Sequence, residues 1–390
     1  GGRVVAAGTV KKVMEESRPV TGRLLKTPLR HPFPFDTEQQ KPPDISKQLR
    51  LRGASKNNLK NLDVNFPLGA LICVTGVSGS GKSTLVRDVL YKDLSSVLRN
   101  EKEKAAVALS GYKPITRVLE VDQTPIGRTP RSCPATYSGI WTTIRQLFAE
   151  TPEARLRGYS ASRFSFNVEG GRCEECGGQG IKRIEMSFLP DVHVECGLCG
   201  GRRFNAETLA AVFKEKSIAE ILEMSVDEAV KFFSFLPKVY NTLKLLQDIG
   251  LGYVTLGQQS PTLSGGEAQR IKLAAEVSKT ALYTPSDGKH TLYVLDEPTV
   301  GLHMADVVKL IYVLKKLVIA GNTVVIVEHN LDVLKCADWI VDLGPEGGSG
   351  GGKLVASGPP EEVARVEGSH TGEYLKTVLP GHDACSGDDH

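Results

Sequence analysis

The fold is decided by Gly76-Val77-Ser78-Gly79-Ser80-Gly81-Lys82-Ser83-Thr84. This glycine-rich stretch follows an apolar, strand-like run at 71–75 and precedes a helical pattern over 84–98. In that setting the glycines let backbone N–H groups turn around a phosphate, and the helix N-terminus adds positive potential. The lysine can reach the β- and γ-phosphates, and the next hydroxyl can bind Mg²⁺. The sequence therefore predicts a nucleotide site made by Gly76, Ser78, Gly79, Gly81, Lys82, Ser83 and Thr84.

The composition is that of a soluble globular chain, with 41% hydrophobic and 24% charged residues among 390. Its net charge of +3 is too small to indicate nucleic acid by itself. No apolar run reaches the roughly 18 residues that span a bilayer, and no signal peptide opens the sequence, so no membrane partner is expected. Four of the eight cysteines are scattered, which argues against a secreted disulfide scaffold. We expect a cytoplasmic protein, or an organellar one if the source is a eukaryote.

Strand-like and helix-like segments alternate from residue 49 onward, which predicts an α/β core. Apolar runs, several of them continuous as in buried parallel strands, predict strands at 49–52, 71–75, 117–121, 292–295, 324–327 and 339–343. Helical periodicity predicts helices at 84–98, 142–148, 217–223, 226–233, 239–248, 266–278 and 307–317. We place the core in two parts, 49–124 and 264–379, with 125–263 as an inserted subdomain.

The first residues repeat the C-terminal region. At a constant offset of 350, 11 of 27 positions are identical between 1–27 and 351–377. Chance similarity between two glycine-rich ends is the competing explanation. We interpret 1–27 as the tail of a preceding copy of the same module. The proline-rich stretch 28–48 is then a linker, and the polar residues 380–390 are predicted to be a disordered tail.

Polar residues follow the predicted strands, at the edge where α/β sheets bind ligands. Asp296 and Glu297 end one apolar strand, and Gln123 and His329 each follow another. Asp296 is expected to complete a magnesium shell with Ser83, and Glu297 can polarise an attacking water. A second anion site is predicted where a helix begins, at Leu263-Ser264-Gly265-Gly266-Glu267-Ala268-Gln269-Arg270.

This set of motifs, together with the Gly301-Leu302-His303 turn and Asp306, resembles the ATP-binding-cassette ATPases. The resemblance implies a nucleotide-binding domain with a helical signature subdomain that uses ATP and Mg²⁺. It implies that His329 contacts the γ-phosphate and that Gln123 senses Mg²⁺ and the attacking water. It also implies contacts to ATP on an opposite cassette, from Ser264, Gly265, Gly266 and Gln269. A first cassette in the same full-length chain is the implied partner. The segment 51–62 lacks the aromatic residue on which many cassettes stack adenine, so the base contacts stay open.

The inserted subdomain carries two C-x-x-C knuckles separated by 19 residues, formed by Cys173, Cys176, Cys196 and Cys199. Four thiolates at this spacing can close a tetrahedral zinc site. The glycines after each knuckle permit the tight turns that aim backbone amides at sulfur. A redox role for either pair is the competing interpretation. We predict a structural Cys₄ zinc module over about 151–216.

The segments around the knuckles sharpen the resemblance. Residues 124–137, 163–173, 188–192, 264–270 and 296–303 are similar to the UvrA family of damage-recognition ATPases in bacterial nucleotide excision repair. The similarity runs from residue 49 to about 379. It implies the C-terminal half of such a protein, a homodimer that binds double-stranded DNA distorted by lesions. It further implies that ATP binding and hydrolysis discriminate lesions and load the next repair subunit, UvrB, without any nuclease activity of the chain itself.

Residue chemistry gives partial support for DNA binding. Between 128 and 172 there are seven arginines against three acidic residues. This excess makes Arg128, Arg131, Arg163 and Arg172 candidate phosphate contacts. Tyr159, Phe164, Phe166 and Phe188 could meet distorted base stacks, or they could pack the zinc subdomain.

Three alternatives to repair stay open. A transporter cassette is disfavoured by the 140 residues between Gln123 and Ser264. A UvrA-like paralogue in resistance to DNA-binding drugs is compatible with the same motifs. A zinc scaffold with an inactive cassette would need a defect outside Lys82, Ser83, Asp296, Glu297 and His329.

Overall fold

The computed structural model describes residues 3–16, 20–26, 29, 43–101, 107–184, 186, 192–279 and 290–379. The predicted tail 380–390, Phe188 and most of the linker 28–48 lie outside these residues. The chain divides into two compact units. The first contains Gly1–Asp122 and Thr280–His390, and the second contains Gln123–Lys279.

The strands of the described residues are β1 Gln48–Ala54, β2 Leu62–Pro67, β3 Leu71–Gly76, β4 Ala108–Ser110, β5 Ile115–Val121, β6 Ile181–Ile184, β7 Val192–Glu195, β8 Val212–Phe213, β9 Lys216–Ser217, β10 His290–Asp296, β11 Thr323–Val327, β12 Trp339–Gly344 and β13 Lys353–Gly358. The α-helices are α1 Val10–Glu15, α2 Val20–Lys26, α3 Lys92–Leu98, α4 Pro134–Tyr137, α5 Ile140–Ala149, α6 Pro152–Leu156, α7 Ala206–Leu209, α8 Ile218–Glu223, α9 Val226–Phe232, α10 Pro237–Asp248, α11 Gly265–Lys279, α12 Met304–Ile319, α13 Leu331–Leu334, α14 Pro360–Val363 and α15 His370–Lys376. A π-helix, Thr84–Tyr91, leads into α3. Among these helices, none is long and apolar enough to cross a membrane.

A six-stranded sheet forms the centre of the first unit. Its strand order is β13-β12-β3-β11-β10-β5, and all neighbours are parallel except β13 with β12. Every residue of β11 is buried, as are the first five of β3, because helices cover both faces of a parallel sheet. The carboxyl ends of β3, β10, β11 and β12 therefore meet at one edge. The predicted α/β class is confirmed.

The strand predicted at 49–52 lies in a separate antiparallel sheet, with the order β2-β1-β4. Its inward-facing side chains, among them Leu49, Leu51 and Phe66, join the apolar cluster that includes Val74 and Leu85. The two sheets thus share one core, and β1 contributes to packing rather than to the parallel edge.

The two ends of the chain contain equivalent helix pairs. Helix α2 begins at Val20 and α15 begins at His370, which is the offset of 350 found in the sequence. A Cβ atom built on Gly22 would lie 2.1 Å from the Val13 carbonyl oxygen, and one built on Gly372 would lie 2.4 Å from that of Val363. Val13 and Val363 are separated by the same offset. The two repeated segments therefore share a backbone contact as well as identical residues.

The second unit is mainly helical, from α4 to α11, with the β6–β7 hairpin and the short β8–β9 pair. Helix α11 belongs to this unit, whereas sequence analysis assigns residues from 264 onward to the core. The domain boundaries drawn from the sequence stay a prediction.

Candidate nucleotide and metal sites

The glycine-rich loop has the backbone that its sequence predicts. Gly76 has a φ of 131°, and a Cβ atom there would lie 1.9 Å from the Leu343 carbonyl oxygen. Gly81 has a φ of 105°, and a Cβ atom there would lie 2.8 Å from the Leu59 side chain. A side chain is excluded at position 76 by conformation and by space, and is disfavoured at position 81 chiefly by the backbone conformation. The loop therefore favours glycine at both positions.

Lys82 lies folded over this loop. Its Nζ donates hydrogen bonds to the carbonyl oxygens of Gly76 at 3.1 Å and Val77 at 2.8 Å. Burial lowers the pKa of Lys82, while the carboxylates of Glu297 and Asp296 act to raise it. The ammonium therefore lies within electrostatic range of both acids at the end of β10. A phosphate bound by the loop would meet a desolvated cation, which strengthens the attraction.

Asp296 and Arg87 meet at the carboxyl end of β10. Arg87 Nη1 is 3.7 Å from Asp296 Oδ2, and its Nε is 2.5 Å from Glu120 Oε1. Burial raises the pKa of Asp296, and the Glu297 and Glu120 carboxylates add to this effect. A divalent cation would relieve this repulsion between carboxylates, so the donor set fits Mg²⁺. Ser83, the other predicted magnesium ligand, is exposed at the N-terminus of the π-helix.

Glu297 has a left-handed backbone, with a φ of 43°. Its N–H donates to the Val327 carbonyl oxygen at 2.9 Å, which places it against the end of β11. His329 Nε2 is 3.8 Å from Glu297 Oε1. A bulky residue held in this region of φ and ψ is strained, and such strain gathers at functional sites. The structure thus brings together Glu297 and His329, which the sequence places 32 positions apart.

Asp342 is a buried carboxylate that sequence reasoning missed. It accepts hydrogen bonds from Ser369 Oγ at 2.6 Å and from Thr371 Oγ1 at 3.0 Å. Asp342 pairs in register with Thr75, directly before the phosphate loop. Burial raises the pKa of this carboxyl. The C-terminal helix α15 is thereby tied to the strand that carries the loop, but no spacing in the sequence marks that link.

In the second unit, α11 begins at Gly265 and its first turn has a capping box. The Glu267 N–H donates to Ser264 Oγ at 3.3 Å, and the Ser264 N–H donates to Glu267 Oε2 at 2.8 Å. Gln123 lies beside this helix start, because a Cβ atom on Gly265 would be 3.3 Å from the Gln123 Cβ. Gln269 is buried on the same helix. The anion site predicted at Ser264, Gly265 and Gly266 therefore has the helix N-terminus that it requires.

The four knuckle cysteines form one buried cluster whose sulfur atoms all lie within 4.8 Å of one another. Cys173 Sγ is 3.9 Å from Cys196 Sγ, and Cys176 Sγ is 3.8 Å from Cys199 Sγ. Tetrahedral zinc with Zn–S bonds of about 2.3 Å requires sulfur separations of about 3.8 Å. The Gly180 N–H donates to Cys176 Sγ at 3.2 Å. The donor set and its dimensions fit a structural zinc ion.

Arg203 joins the cysteine cluster to the rest of the second unit. Its backbone carbonyl accepts from the Cys173 N–H at 2.8 Å, and its Nη2 donates to the Gly257 carbonyl oxygen at 2.7 Å. The guanidinium also lies over the Phe166 ring, 5.2 Å from the ring centroid. Burial lowers the pKa of Arg203, and the nearby sulfurs of Cys133 and Cys176 act to raise it. A buried cation here complements the negative charge of a zinc tetrathiolate.

The four arginines predicted to contact DNA differ in exposure and in ion pairing. Arg163 donates to Thr208 and Glu207 and lies 4.5 Å from the Tyr159 ring centroid. Arg172 forms ion pairs with Glu169 and Glu174, and its side chain is 15% exposed. Arg131 is half-buried, whereas Arg128 is exposed.

The aromatic residues predicted either to meet base stacks or to pack the zinc subdomain differ in burial. Phe164 and Phe166 are fully buried and contact Phe148 and Trp141. Packing is therefore the role that the structure gives these two rings. Tyr159 is half-buried.

The chain is an ATP-binding-cassette nucleotide-binding domain with an inserted Cys₄ module. This class is defined by the order of the strands, the phosphate loop, the acidic end of β10, His329 and the helix α11. No protein-family model matches the chain. It is 54% identical to UvrABC system protein A of Lactococcus lactis over 381 residues, which is 97% of this chain and 40% of that protein. It is 53% identical to UvrABC system protein A of Staphylococcus aureus over the same share of this chain.

The crystal structure of UvrA2 from Deinococcus radiodurans matches with a TM-score of 0.82 and 49% identity, covering 92% of this chain and 42% of that one. The chain belongs to the UvrA family. It spans about two-fifths of the length of the curated relatives it matches.

Proposed function

We propose that this chain is the nucleotide-hydrolysing second cassette of a UvrA-type repair ATPase. The observation that carries the proposal is the meeting of Lys82, Asp296, Glu297 and His329 at one edge of the parallel sheet. Lys82 neutralises phosphate charge, and Asp296 with Ser83 holds Mg²⁺. Glu297 and His329 stand where an attacking water and the γ-phosphate are to be positioned. The reaction is hydrolysis of ATP to ADP and phosphate.

The cassette is proposed to act as part of a pair. Ser264, Gly265 and Gly266 would serve ATP on the opposing cassette, with the buried Gln269 supporting the helix. The repeated helix pair at the chain's start supports a preceding cassette as that partner, because Gly22 and Gly372 make the same backbone contact. Homodimerisation is proposed from the family alone.

The substrate of the whole protein is proposed to be double-stranded DNA distorted by a lesion, with transfer to a UvrB-like subunit as the outcome. Arg128 is the most exposed of the four candidate phosphate contacts, and Arg163 and Arg172 are engaged by carboxylates. The zinc module is proposed to be structural. A role as a UvrA-like paralogue is the second candidate, since UvrA2 matches at 49% identity, although the UvrABC proteins match at up to 54%.

The test combines hydrolysis with DNA binding. ATP turnover by the zinc-loaded chain is measured first, alone and together with a preceding cassette of the same family, and absence of turnover in both cases would contradict the catalytic proposal. Binding to a labelled duplex with one bulky lesion is then compared with binding to its undamaged twin, at fixed salt with and without ATP. Tighter binding to the lesion supports the repair role, whereas equal binding that follows salt alone would leave only non-specific phosphate contacts.

A further inference from the structure

Glu328 is a buried carboxylate next to His329 that no motif in the sequence marks. Its side chain is 2% exposed. Oε1 accepts from the Thr299 N–H at 2.8 Å. Oε2 accepts from the N–H groups of His329 at 3.0 Å and Asn330 at 3.3 Å. Both carboxylate oxygens thus accept hydrogen bonds, and their donors lie on two different loops.

The two loops are those that carry the proposed catalytic groups. The Val300 N–H donates to the Glu297 carbonyl oxygen at 3.2 Å, so Thr299 lies inside the turn that Glu297 begins. The other loop runs from β11 through His329 to Asn330, which caps α13. A single carboxylate therefore joins the Glu297 turn to the His329 turn, whose side chains approach to 3.8 Å.

Hydrogen bonds to an ionised acceptor are stronger than those between neutral groups, and an acceptor buried with its donors cannot be replaced by water. An amide in the same place keeps one acceptor oxygen and turns an N–H₂ group toward a backbone N–H. Glutamine at this position would therefore accept hydrogen bonds from one loop and place its own N–H groups against the backbone N–H of the other. The arrangement depends on the carboxylate and not only on the volume of the side chain.

We propose that Glu328 is a positioning residue that sets the spacing of Glu297 and His329 for ATP hydrolysis. This rests on the proposed ATPase function. Glu328 need not touch the nucleotide, because it acts through the two backbone turns. Misplacement of a reacting group by about 1 Å can cost on the order of 100-fold in rate. Loss of the carboxylate is expected to lower kcat about 10-fold to 100-fold while KM for ATP changes by less than about threefold.

The test uses Glu328→Gln and Glu328→Asp in the full 390-residue chain. Glu328→Asp keeps the charge but is one methylene shorter, so it can still reach the adjacent N–H groups and loses Thr299. Both variants are expected to show the drop in kcat. The matched control is Glu220→Gln, because Glu220 also accepts a backbone N–H, that of Ser217 at 2.8 Å, in the second unit. The control is expected to keep the parent kcat.

Amide hydrogen exchange at Thr299, His329 and Asn330 gives a readout independent of turnover. Faster exchange at Thr299 in both variants supports the proposal. Unchanged exchange and unchanged kcat in Glu328→Asp would overturn it, whether or not Glu328→Gln folds. If the parent chain does not hydrolyse ATP even with a preceding cassette added, the ATPase proposal fails by itself, and unchanged exchange at Thr299 would still refute the bridging role.

Discussion

The Nε2 atom of His329 lies 3.8 Å from Oε1 of Glu297. Burial lowers the pKa of His329, and the Lys82 ammonium lowers it further, although Glu297 opposes them. The imidazole is therefore neutral near pH 7, and the contact is polar rather than a salt bridge. A neutral His329 can donate or accept a hydrogen bond beside the Glu297 side chain, where a water is to be positioned.

Glu297→Gln should bind ATP but turn it over at least about 100-fold more slowly, because the amide cannot accept a proton from water. Turnover and retained nucleotide are measured together after rapid gel filtration. Glu223→Gln, an exposed substitution at the end of α8, serves as the control and should match the parent. Hydrolysis at the parent rate by Glu297→Gln would remove Glu297 from its proposed role.

Cys176→Ser should abolish stoichiometric zinc and loosen the second unit. Metal binding at a Cys₄ site contributes on the order of 10–16 kcal/mol in zinc-finger peptides, which is enough to fold a small module. Zinc content is measured by metal analysis and local folding by proteolysis. Cys133→Ser alters a buried cysteine outside the cluster and should keep the zinc. A parent protein without zinc, after expression in zinc-supplemented medium, would refute the site.

Asp342→Asn should make stability depend less steeply on pH. Burial raises the pKa of Asp342 above its ordinary value of 3.8, against the hydrogen bonds from Ser369 and Thr371. Because the folded state holds this proton more tightly than the unfolded state, Asp342 lowers stability as pH rises from about 3.8 through the raised pKa.

The free energy of unfolding in urea is measured from about pH 4 to pH 7 for the parent, for Asp342→Asn and for the exposed control Asp63→Asn. The asparagine variant should lose less stability than the parent over the window above pH 3.8. Parallel curves for the parent and Asp342→Asn would show that this carboxyl does not titrate abnormally.

Gly372→Ala should lower the free energy of unfolding by about 1–3 kcal/mol, because its Cβ would lie 2.4 Å from the Val363 carbonyl oxygen. Gly197→Ala is the matched control, since nothing lies within 4 Å of a Cβ at that position. Thermal unfolding with both variants separates a steric effect from a general effect of alanine. Equal stability of the two would show that α14 and α15 can move apart without cost.

Local patterns in the sequence were sufficient for most of the fold. The runs at β3, β10, β11 and β12 are continuous and apolar, so burial on both faces leaves an unambiguous signal. Strand β13 is largely exposed and has glycine at its end, so no apolar run marks it. The sequence predicts strand β1 but not the sheet that it joins, because a short apolar run does not indicate its neighbours.

The candidate site was predictable where function fixes spacing. Lys82, Asp296 and the four cysteines lie in motifs with set distances along the chain, and the structure brings each group together. Glu328 makes its contacts through backbone N–H groups, which every residue has, so nothing in the sequence identifies its partners.

A count of charges depends on the stretch of sequence over which it is made. Arg163 is paired with Glu207, which lies beyond the window in which the basic excess was counted. Arg172 is paired in part with Glu174, also outside it. A local excess of arginine therefore does not become a basic surface when the compensating acids come from later segments.

The left-handed backbone of Glu297 has an evolutionary consequence. Conformations of this kind cost on the order of 1–3 kcal/mol for residues other than glycine, so a glutamate at this position lowers the stability of the fold. If the chain hydrolyses ATP as proposed, a descendant that lost this activity would gain stability from glycine or asparagine at position 297, with little change to the surrounding fold. The residue at this position would then distinguish relatives that hydrolyse ATP from relatives that do not.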